Sequence, residues 1–344
     1  MNGSGSTWVI INPTAGRGRG EVLWRELRPD LVRRFGEAEV LWSSRPGEER
    51  EFIRRAVLQG ASRVFLLGGD GTYSNAVDAL LGWEMAPRGP PPILGLLPAG
   101  RGADLPRSLG YPASPEHLVE ALQKMVPIPV DIGRLTFLGE TPSRTRYWVN
   151  QSYVGFGARV VERANARTRW AGQSAYRIAA ARELLHLRNI RVSLAGPSVP
   201  FPEGRVATLL VTNGRFSGGG MLTSPRADLK DGLFHIQAIG AVGRLRLLRS
   251  LSKFQKGQHL SLPDVHAWEA SRLEVQGDPG DGLVEADGDV VGRLPVRYEL
   301  CPGALRFLGV PEGPPRAAGG DGTAFSAEAV PVSSSSSRSF RAFS

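Results

Sequence analysis

The chain has 344 residues, of which 41% are hydrophobic and 22% are charged, a globular composition with room for two domains of ordinary size. Its net charge of +9 is carried almost entirely by arginine, which favours anionic partners such as nucleotide phosphates or an acidic membrane surface. The single cysteine, Cys301, excludes an internal disulfide framework and a cysteine-based zinc site, and no apolar run reaches the roughly 18 residues of a membrane span.

Although the chain is basic, nucleic acid is the weaker choice of partner. Its arginines are not interleaved with aromatic residues as in RNA-binding modules, and helix-turn-helix and zinc-finger patterns are absent from the sequence. The five histidines are scattered without the spacing of metal ligands. The first residues, Met1–Thr7, are polar and uncharged, so no signal peptide is predicted and a cytoplasmic location is expected.

In the first half of the chain, apolar runs alternate with amphipathic stretches, which predicts strands that alternate with helices. The predicted strands are Trp8–Ile11, Glu39–Trp42, Val64–Leu67 and Ile93–Leu97, and the predicted helices lie over Val22–Phe35, Glu48–Gln59, Ala76–Leu81 and Leu118–Met125. Such alternation favours a parallel sheet covered by helices on both faces, with ligand-binding loops at the carboxyl ends of the strands.

Glycine-rich loops follow the first, third and fourth of these strands. They are Asn12–Gly20, Gly68–Thr72 and Pro98–Asp104. Glycine lets the backbone approach a bound group closely, and the free N–H groups at a helix start favour phosphate. Because the Asp70 carboxylate would repel bare phosphate, it indicates a divalent cation, a ribose hydroxyl or a water network beside it.

Each loop taken alone also fits a purely structural role. Gly68–Thr72 would serve as a glycine-rich turn with Thr72 or Ser74 as a helix cap, and Asn12–Gly20 as a surface loop. The same five letters recur at Gly319–Thr323, without a strand before them or a helix after them. We interpret that second copy as a coincidence, because only the first has the context of a binding loop.

From Pro127 onwards the pattern is mainly that of β-strands. Strands are predicted at Val130–Phe137, Arg146–Tyr153, Ile190–Leu194, Arg205–Asn213, Leu233–Ile239, Arg272–Gln276, Leu283–Val291, Pro295–Cys301 and Ala304–Leu308, with helices only at Ala175–Leu187 and about Val242–Gln255. We therefore predict an α/β domain with a parallel sheet over residues 7–129 and a mainly antiparallel β-sandwich domain over residues 130–310, whose last strand could return to the first domain. Residues 311–344 are rich in Gly, Pro, Ala and Ser and are predicted to be a disordered tail.

With these loops in view, the chain resembles the diacylglycerol kinase catalytic-domain family of lipid kinases, which includes bacterial diacylglycerol kinases and sphingosine kinases. The matching motifs are Asn12–Gly16, Gly68–Thr72, Val130–Gly133, Asn213–Met221, Ala227–Gly232 and Ala286–Asp289. Each motif is weak alone, but six in the family's order and spacing are strong, and they extend from about residue 8 to residue 310. The resemblance implies a nucleotide-binding α/β domain and a β-sandwich, as in NAD kinases and diacylglycerol kinases, and transfer of a phosphoryl group from ATP to a lipid alcohol.

The same resemblance implies a set of site residues. ATP would be bound by Asn12, Pro13, Thr14, Ala15, Gly16, Ser43, Gly68, Gly69, Asp70, Gly71, Thr72 and Ser74, with Arg101 able to pair with its phosphates. Asp70, Asp104 and Asp131 would hold the catalytic Mg²⁺ through water, and Asp228, Asp231 and Leu233 would bind a second, structural Mg²⁺. Asp289 would accept the proton of the lipid hydroxyl, with Asp70 as the other catalytic residue.

The sequence departs from the family pattern at four positions. Asn75 replaces a glutamate, Arg101 and Ala103 replace a threonine and an asparagine, and Asp289 replaces a glutamate and so shortens the proposed base by one methylene. A misplacement near 1 Å can cost about a hundredfold in rate. Two alternatives therefore stay open: a catalytically weak or inactive protein that binds nucleotide or lipid, and a soluble kinase of the NAD kinase type.

A kinase of this family must take its lipid alcohol from a bilayer. We expect peripheral contact with the anionic inner membrane face through Arg244, Arg246 and Arg249, on a helix that also carries Leu245, Leu247 and Leu248. An ordinary helix facing the core is the alternative for this segment. Nucleic acid is not expected as a partner, and the sequence leaves open whether the chain forms a homodimer.

Overall fold

Apolar strands in the N-terminal part form a parallel sheet. The structure, a computed structural model, describes residues 6–83, 89–99, 102–112, 117–167, 173–199 and 201–311. The strands are β1 (Thr7–Ile11), β2 (Ala38–Trp42), β3 (Arg63–Gly68) and β4 (Ile93–Pro98), in the order β2-β1-β3-β4. β1, β3 and β4 are buried along nearly their whole length, which explains their uninterrupted apolar sequences.

Helices connect these strands, as the apolar periodicity predicts. They are α1 (Ala15–Gly18), α2 (Gly20–Phe35), α3 (Glu49–Leu58), α4 (Asp70–Leu81), α5 (Asp104–Ser108) and α6 (Leu118–Lys124). α1 and α2 follow β1, α4 follows β3 and α5 follows β4. Each glycine-rich loop therefore joins the carboxyl end of a strand to the start of a helix.

The rest of the described chain is mainly antiparallel. Its strands are β5 (Val126–Phe137), β6 (Thr145–Trp148), β7 (Gln151–Gly155), β8 (Ile190–Ala195), β9 (Phe201–Thr212), β10 (Phe234–Gly240), β11 (Val265–Ala270), β12 (Arg272–Gly277), β13 (Leu283–Ala286), β14 (Asp289–Arg293) and β15 (Val296–Gly309). Its helices are α7 (Phe156–Arg167), α8 (Gln173–Leu185) and α9 (Arg244–Gln255), followed by a 3₁₀ turn at His259–Ser261. The predicted fold class, a parallel α/β part followed by a mainly antiparallel β part, is confirmed.

The long strand β15 connects the two parts of the sheet. It pairs with β5 and β12 in antiparallel fashion, and Phe307 near its end pairs in parallel with Leu94 of β4. Leu229, Leu305 and Phe307 complete the hydrophobic core around the parallel sheet. A second core lies among the antiparallel strands, where Trp148 stacks on Phe234 with 5.3 Å between ring centroids. The late part of the chain therefore contributes to both cores.

Two predicted strands of the second half are wrong in their extent. Residues 146–153 form β6 and β7 with a break at Val149 and Asn150, because the backbone N–H groups there donate to the carboxylate of Asp287. Residues 283–291 form the hairpin β13–β14, whose turn holds Asp287 at φ 48° and Gly288 at φ 90°. This turn orients the start of β14, where the predicted catalytic Asp289 lies.

Two elements have too weak an apolar pattern to be predicted from the sequence, and one long strand is predicted as two. α7 was not predicted, since the buried residues on it, Ala158, Val161 and Ala164, are too small to form an obvious apolar stripe. β11 was not predicted either, since most of its residues are at least partly exposed. The strands predicted at 295–301 and 304–308 are one strand, β15, with an irregular register between Cys301 and Leu305. Apart from Pro311, the predicted tail lies outside the described residues.

Candidate active site

The loops after β1, β3 and β4 are in contact with one another. A Cβ atom added to Gly16 would lie 2.1 Å from the carbonyl oxygen of Ala99, and one added to Gly102 would lie 2.8 Å from Oδ2 of Asp70. The backbone N–H of Ala99 donates to the carbonyl of Gly68 over 3.0 Å. These close approaches need glycine, and they join three loops into one surface at the carboxyl edge of the sheet.

Replacing Gly16 by alanine is expected to force the loops after β1 and β4 apart. Gly16 has φ +61°, and the added Cβ meets the Ala99 carbonyl, whereas Gly18 has φ +86° with no atom within 4 Å. Both alanine variants carry the cost of a left-handed backbone, about 1–2 kcal/mol. Only Gly16→Ala adds overpacking, so its free energy of unfolding in a denaturant titration should fall by about 1–3 kcal/mol more. Equal losses for the two variants would contradict the contact.

The residues predicted to bind nucleotide differ in their burial and in their hydrogen bonds within these loops. Asn12 Oδ1 accepts from the backbone N–H of Thr14 at 3.1 Å and from its hydroxyl at 2.8 Å, which stabilises the first loop. Ser43 is buried, and its hydroxyl lies 3.3 Å from the Ile11 carbonyl. Thr72 is buried beside Gly68.

Ser74 is fully buried and accepts a hydrogen bond from the Arg146 guanidinium at 3.2 Å. The hydroxyl of Ser74 therefore contacts Arg146, and the contact of Ser74 with nucleotide stays a prediction. The predicted role of Arg101 falls outside the described residues. Ala103, which replaces the family's asparagine, has φ 48° and immediately precedes α5.

Asp70 and Asp104 form a pair of desolvated carboxylates. Asp70 Oδ1 accepts from the backbone N–H of Leu105 at 3.2 Å, and its Oδ2 lies 3.5 Å from the backbone nitrogen of Asp104. Burial raises the pKa of Asp70, and burial together with the charge of Asp70 raises the pKa of Asp104 to about 7. A proton or a cation at this point would relieve the repulsion.

The glycine run that follows β9 reaches the same place. The carboxylate of Asp104 accepts from the backbone N–H groups of Gly219, at 2.9 Å, and Gly220, at 2.7 Å. The Ser108 hydroxyl accepts from the N–H of Arg215 over 3.2 Å. Residues from the antiparallel part of the chain thus contact the loop after β4.

Asp131, on β5, ties together three segments of the second half. Its carboxylate accepts from the backbone N–H groups of Gly232, at 2.8 Å, and Gly303, at 2.7 Å, and its own N–H donates to the Leu229 carbonyl at 2.8 Å. The Asn213 side chain donates to the Asp131 carbonyl at 2.7 Å. Asp131 therefore lies beside the Ala227–Gly232 motif, and its carboxylate oxygens already accept backbone hydrogen bonds.

Asp228 and Asp231 stabilise their own turn. Asp228 Oδ1 accepts from the N–H of Lys230 at 3.1 Å, and Asp231 Oδ1 accepts from the N–H of Leu233 at 2.9 Å. The second oxygen of Asp231 lies 3.2 Å from His235 Nε2. Within the described ranges no three or more His, Cys, Asp or Glu side chains form a metal cluster. The structural Mg²⁺ site, which relies on backbone carbonyls, stays a prediction.

Asp289 opens on a cavity beside the hairpin turn. The carboxylate of Asp287 accepts from the backbone N–H groups of Val149, Asn150 and Gln151 at 2.8–3.0 Å, which fixes the turn. The Asp289 side chain is 50% exposed. The cavity has a volume of about 520 Å³ and is lined by Arg144, Arg146, Glu162, Asn165, Asp289, Val290 and Val291.

Arg146 links Asp289 to the helix that begins at Asp70. Its guanidinium lies 3.2 Å from the Ser74 hydroxyl, 2.7 Å from Asp78 Oδ2 and 3.6 Å from Asp289 Oδ2. Ser74 and Asp78 follow Asp70 on α4, by one and two turns. After burial and local hydrogen bonds, the charge of Asp287 is among the causes that act on the pKa of Asp70. Asp70 and Asp289 therefore lie on the same side of the molecule.

Sequence reasoning gave no role to Arg146 or Asp78. The one available signal was a carboxylate on α4, four residues after Ser74, in a helix with an otherwise largely buried face. Asn75, where the family has a glutamate, accepts from Arg50 and donates to Glu49 at 2.6 Å. The asparagine at this position therefore takes part in a polar contact between α3 and α4.

Comparison with known proteins agrees with this architecture. The family model described as the diacylglycerol kinase catalytic domain matches residues 6–135, and that of the YegS C-terminal NAD kinase beta sandwich-like domain matches residues 150–309. A diacylglycerol kinase of Mycobacterium tuberculosis (strain H37Rv) is 31% identical over 311 residues, 88% of this chain and 95% of the relative. One of Bacillus subtilis is 26% identical over 301 residues, 84% and 91% of the two chains.

Among solved structures, a diacylglycerol kinase from Bacillus anthracis superposes with a TM-score of 0.67 at 18% identity, covering 89% of this chain and 97% of that one. This likeness supports the fold. Fold and matches together define a phosphotransferase with an alcohol group as acceptor. The chain belongs to the diacylglycerol kinase catalytic-domain family. None of its described helices is long and apolar enough to cross a membrane.

Proposed function

We propose that the protein is an ATP- and Mg²⁺-dependent lipid kinase that phosphorylates the hydroxyl of a diacylglycerol-like or sphingoid lipid. Arg146 is the observation that supports this most directly, because it joins the helix after the Gly68–Thr72 loop to Asp289. The phosphate-binding loops and the proposed proton acceptor then face one reaction space. We also propose residues 7–129 and 130–310 as its two domains, with β15 shared between them.

Each part of this space would have its own task. Backbone N–H groups of the Asn12–Gly16 and Gly68–Thr72 loops would bind the phosphates, aided by the start of α4. The half-exposed Asp289 would orient the lipid hydroxyl and accept its proton late in the transfer. The cavity beside Asp289 would receive the polar end of the lipid.

Asp70 and Asp104 fit a divalent cation, because two desolvated carboxylates meet there and Mg²⁺ prefers oxygen ligands. When bound, Mg²⁺ would neutralise the charge of the phosphates and favour transfer. Asp131 would take part through water, and a second ion would bind Asp231 together with the carbonyls of Asp228 and Leu233.

Mg²⁺ is expected to stabilise the protein more at pH 8 than at pH 5. Burial, together with the charge of Asp70, raises the pKa of Asp104 in the folded chain to about 7, well above the usual range of an aspartate. A carboxyl with a raised pKa contributes its stability fully below the unfolded value, and this contribution is lost as the pH rises through about 7. Without metal, the midpoint temperature of thermal unfolding should therefore decrease as the pH is raised from 5 to 8. The decrease should be smaller in Asp104→Asn.

Thermal unfolding with and without Mg²⁺ at the two pH values tests this expectation. At pH 8 the added ion should raise the midpoint of the wild type more than that of Asp104→Asn, which keeps only the second proposed ion site at Asp231. Equal shifts for the two proteins at both pH values would show that the ion acts elsewhere.

A phosphorylation screen distinguishes this function from its alternatives. The protein is incubated with labelled ATP and a lipid extract, diacylglycerol, sphingosine or NAD, and the products are identified by mass spectrometry. Label in a lipid alcohol is expected, whereas label in NAD alone would refute the proposal. Equal background transfer by wild type and Asp289→Ala, with ATP still bound, would indicate a protein that binds nucleotide without turnover.

We further propose that α9 gives the kinase peripheral contact with the anionic inner membrane face. Leu245 and Leu248 on this helix are 69% and 51% exposed. Arg244 and Arg249 are exposed beside them, and α9 contains no acidic residue. Apolar side chains framed by cations favour an acidic bilayer. The homodimer that the sequence left open stays a prediction.

Removing Arg244 and Arg249 together by glutamine substitution should weaken binding to vesicles of acidic phospholipid by about 20- to 30-fold, since each cation contributes about 1 kcal/mol. Vesicle co-sedimentation at low ionic strength measures this effect. A matched double variant at Arg25 and Arg33, exposed cations of α2 paired with acidic neighbours, should bind almost as the wild type. Equal weakening by both variants would leave α9 without a special role.

A further inference from the structure

We propose that Arg146 is a positioning residue for phosphoryl transfer, and that its anchored guanidinium holds the carboxylate of Asp289 in the orientation that meets the lipid hydroxyl. The inference rests on the proposed function of the same site. It assigns a role to a residue that lies 143 positions before Asp289 in the chain. It also explains how a base shorter than the family's glutamate is held in place.

Arg146 is nearly enclosed by its partners. Its side chain is 10% exposed, and its NH1 group donates to Asp78 Oδ2 at 2.7 Å while NH2 donates to the Ser74 hydroxyl at 3.2 Å. The same NH2 group lies 3.6 Å from Asp289 Oδ2. Two bonds thus fix the guanidinium against α4, and its other charged neighbours are the proposed base and the buried carboxyl of Asp287.

Asp78 is itself held from other directions. Its Oδ2 accepts from Arg50 of α3, and its Oδ1 accepts from the backbone N–H of Tyr147 at 2.9 Å. A carboxylate bound on both oxygens provides a rigid anchor for Arg146.

The backbone at Asp289 is already fixed, so the freedom that remains is that of its side chain. Asp287 accepts from three N–H groups at the junction of β6 and β7, and the Asn165 side chain donates to the Gly288 carbonyl at 2.9 Å. The Asp289 carboxylate is half exposed and could otherwise sample several rotamers. Attraction to an immobile guanidinium selects among these rotamers, and positioning errors near 1 Å can change a rate by about a hundredfold.

Arg297 of β15 is a matched control outside the cavity. Its guanidinium lies 3.1 Å from Oε2 of Glu274 on β12, and its side chain is 33% exposed. Arg297 is therefore an arginine paired with a carboxylate, like Arg146, but it is not among the residues that line the cavity.

The test compares Arg146→Gln, Arg146→Lys and Arg297→Gln in the full chain, with the best lipid from the phosphorylation screen. Arg146→Gln should lower kcat by about a hundredfold and leave the KM for ATP within about threefold. Arg146→Lys should recover part of the loss because it keeps the charge. Arg297→Gln should stay within about threefold of the wild type.

A double-variant cycle separates positioning from a merely structural role. If Arg146 acts through Asp289, Arg146→Gln should change the residual rate of Asp289→Asn by less than about threefold. Thermal unfolding of every variant supplies the folded fraction used to correct the rates. Full multiplication of the two losses, or an Arg146→Gln variant that melts earlier but keeps its kcat, would overturn the inference. Transfer by the wild type with none of these effects refutes only the role of Arg146, whereas a wild type without lipid transfer refutes both proposals.

Discussion

Replacing Asp289 by asparagine is expected to lower kcat for lipid phosphorylation by about 10²- to 10⁴-fold, because the amide cannot accept the proton of the attacking hydroxyl. The fold should tolerate the change, since the side chain is 50% exposed and its ion-pair partner Arg146 is also held by Asp78. Steady-state transfer of label from ATP to the lipid measures the rate, and thermal unfolding checks the fold.

Asp289→Glu is the informative partner of that variant. It restores the side chain found at this position in the family, so it keeps the proton acceptor and changes only its reach. We expect activity within about tenfold of the wild type. An Asp289→Asn protein that is as active as the wild type would remove Asp289 from the chemistry, whatever the glutamate variant does.

Replacing Asp70 by asparagine is expected to lower kcat by about 10²- to 10³-fold, the scale on which single electrostatic contacts to a transition state act. The amide keeps an acceptor for the N–H of Leu105 but loses the charge that would attract the cation. The Mg²⁺ concentration for half-maximal rate should therefore rise as well.

Stability should respond to this change in the opposite direction. Burial raises the pKa of Asp70, and its charge contributes to the raised pKa of Asp104. Removing that charge should leave the metal-free protein at neutral pH at least as stable as before. Asp30→Asn, on α2 and paired with Arg33, is a control for the loss of a carboxylate. Unchanged rate and unchanged Mg²⁺ dependence in Asp70→Asn would contradict the role of Asp70.

The N-terminal half could be predicted from local patterns. β1, β3 and β4 are buried along their length, so their sequences are continuous apolar runs, and the loops that follow them begin with glycine or proline signals. Parallel strands with intervening helices place their carboxyl ends at one edge. The close approach of Gly16, after β1, to Ala99, after β4, agrees with this arrangement.

The second half could not be predicted as well, because distant residues determine its irregularities. The break between β6 and β7 depends on Asp287, which lies 136–138 positions later in the chain. The link from α4 to Asp289 depends on Arg146, which is separated from Asp78 by 68 positions. α7 packs through alanines and a valine, whose weak apolar signal hides a helix.

The family resemblance gives the candidate residues, and the structure shows which groups several of them contact. The Asp70 carboxylate lies beside the backbone nitrogen of Asp104, whereas Asp131 accepts a hydrogen bond from Gly232, in the loop of Asp228 and Asp231. Ser74 faces Arg146 rather than the loop surface. Backbone contacts of this kind are invisible to a motif, because the motif gives residue types and spacing but not which side chains pair with which N–H groups.

A crystal structure of the protein with Mg²⁺ and a non-hydrolysable ATP analogue tests the arrangement most directly. We expect the triphosphate to lie on Asn12–Gly16 and Gly68–Thr72, with its γ-phosphate between Asp70 and Asp289 and the metal beside Asp70 and Asp104. A triphosphate bound away from these loops, or a γ-phosphate that Asp289 does not face, would contradict a single reaction space formed by the two parts of the chain.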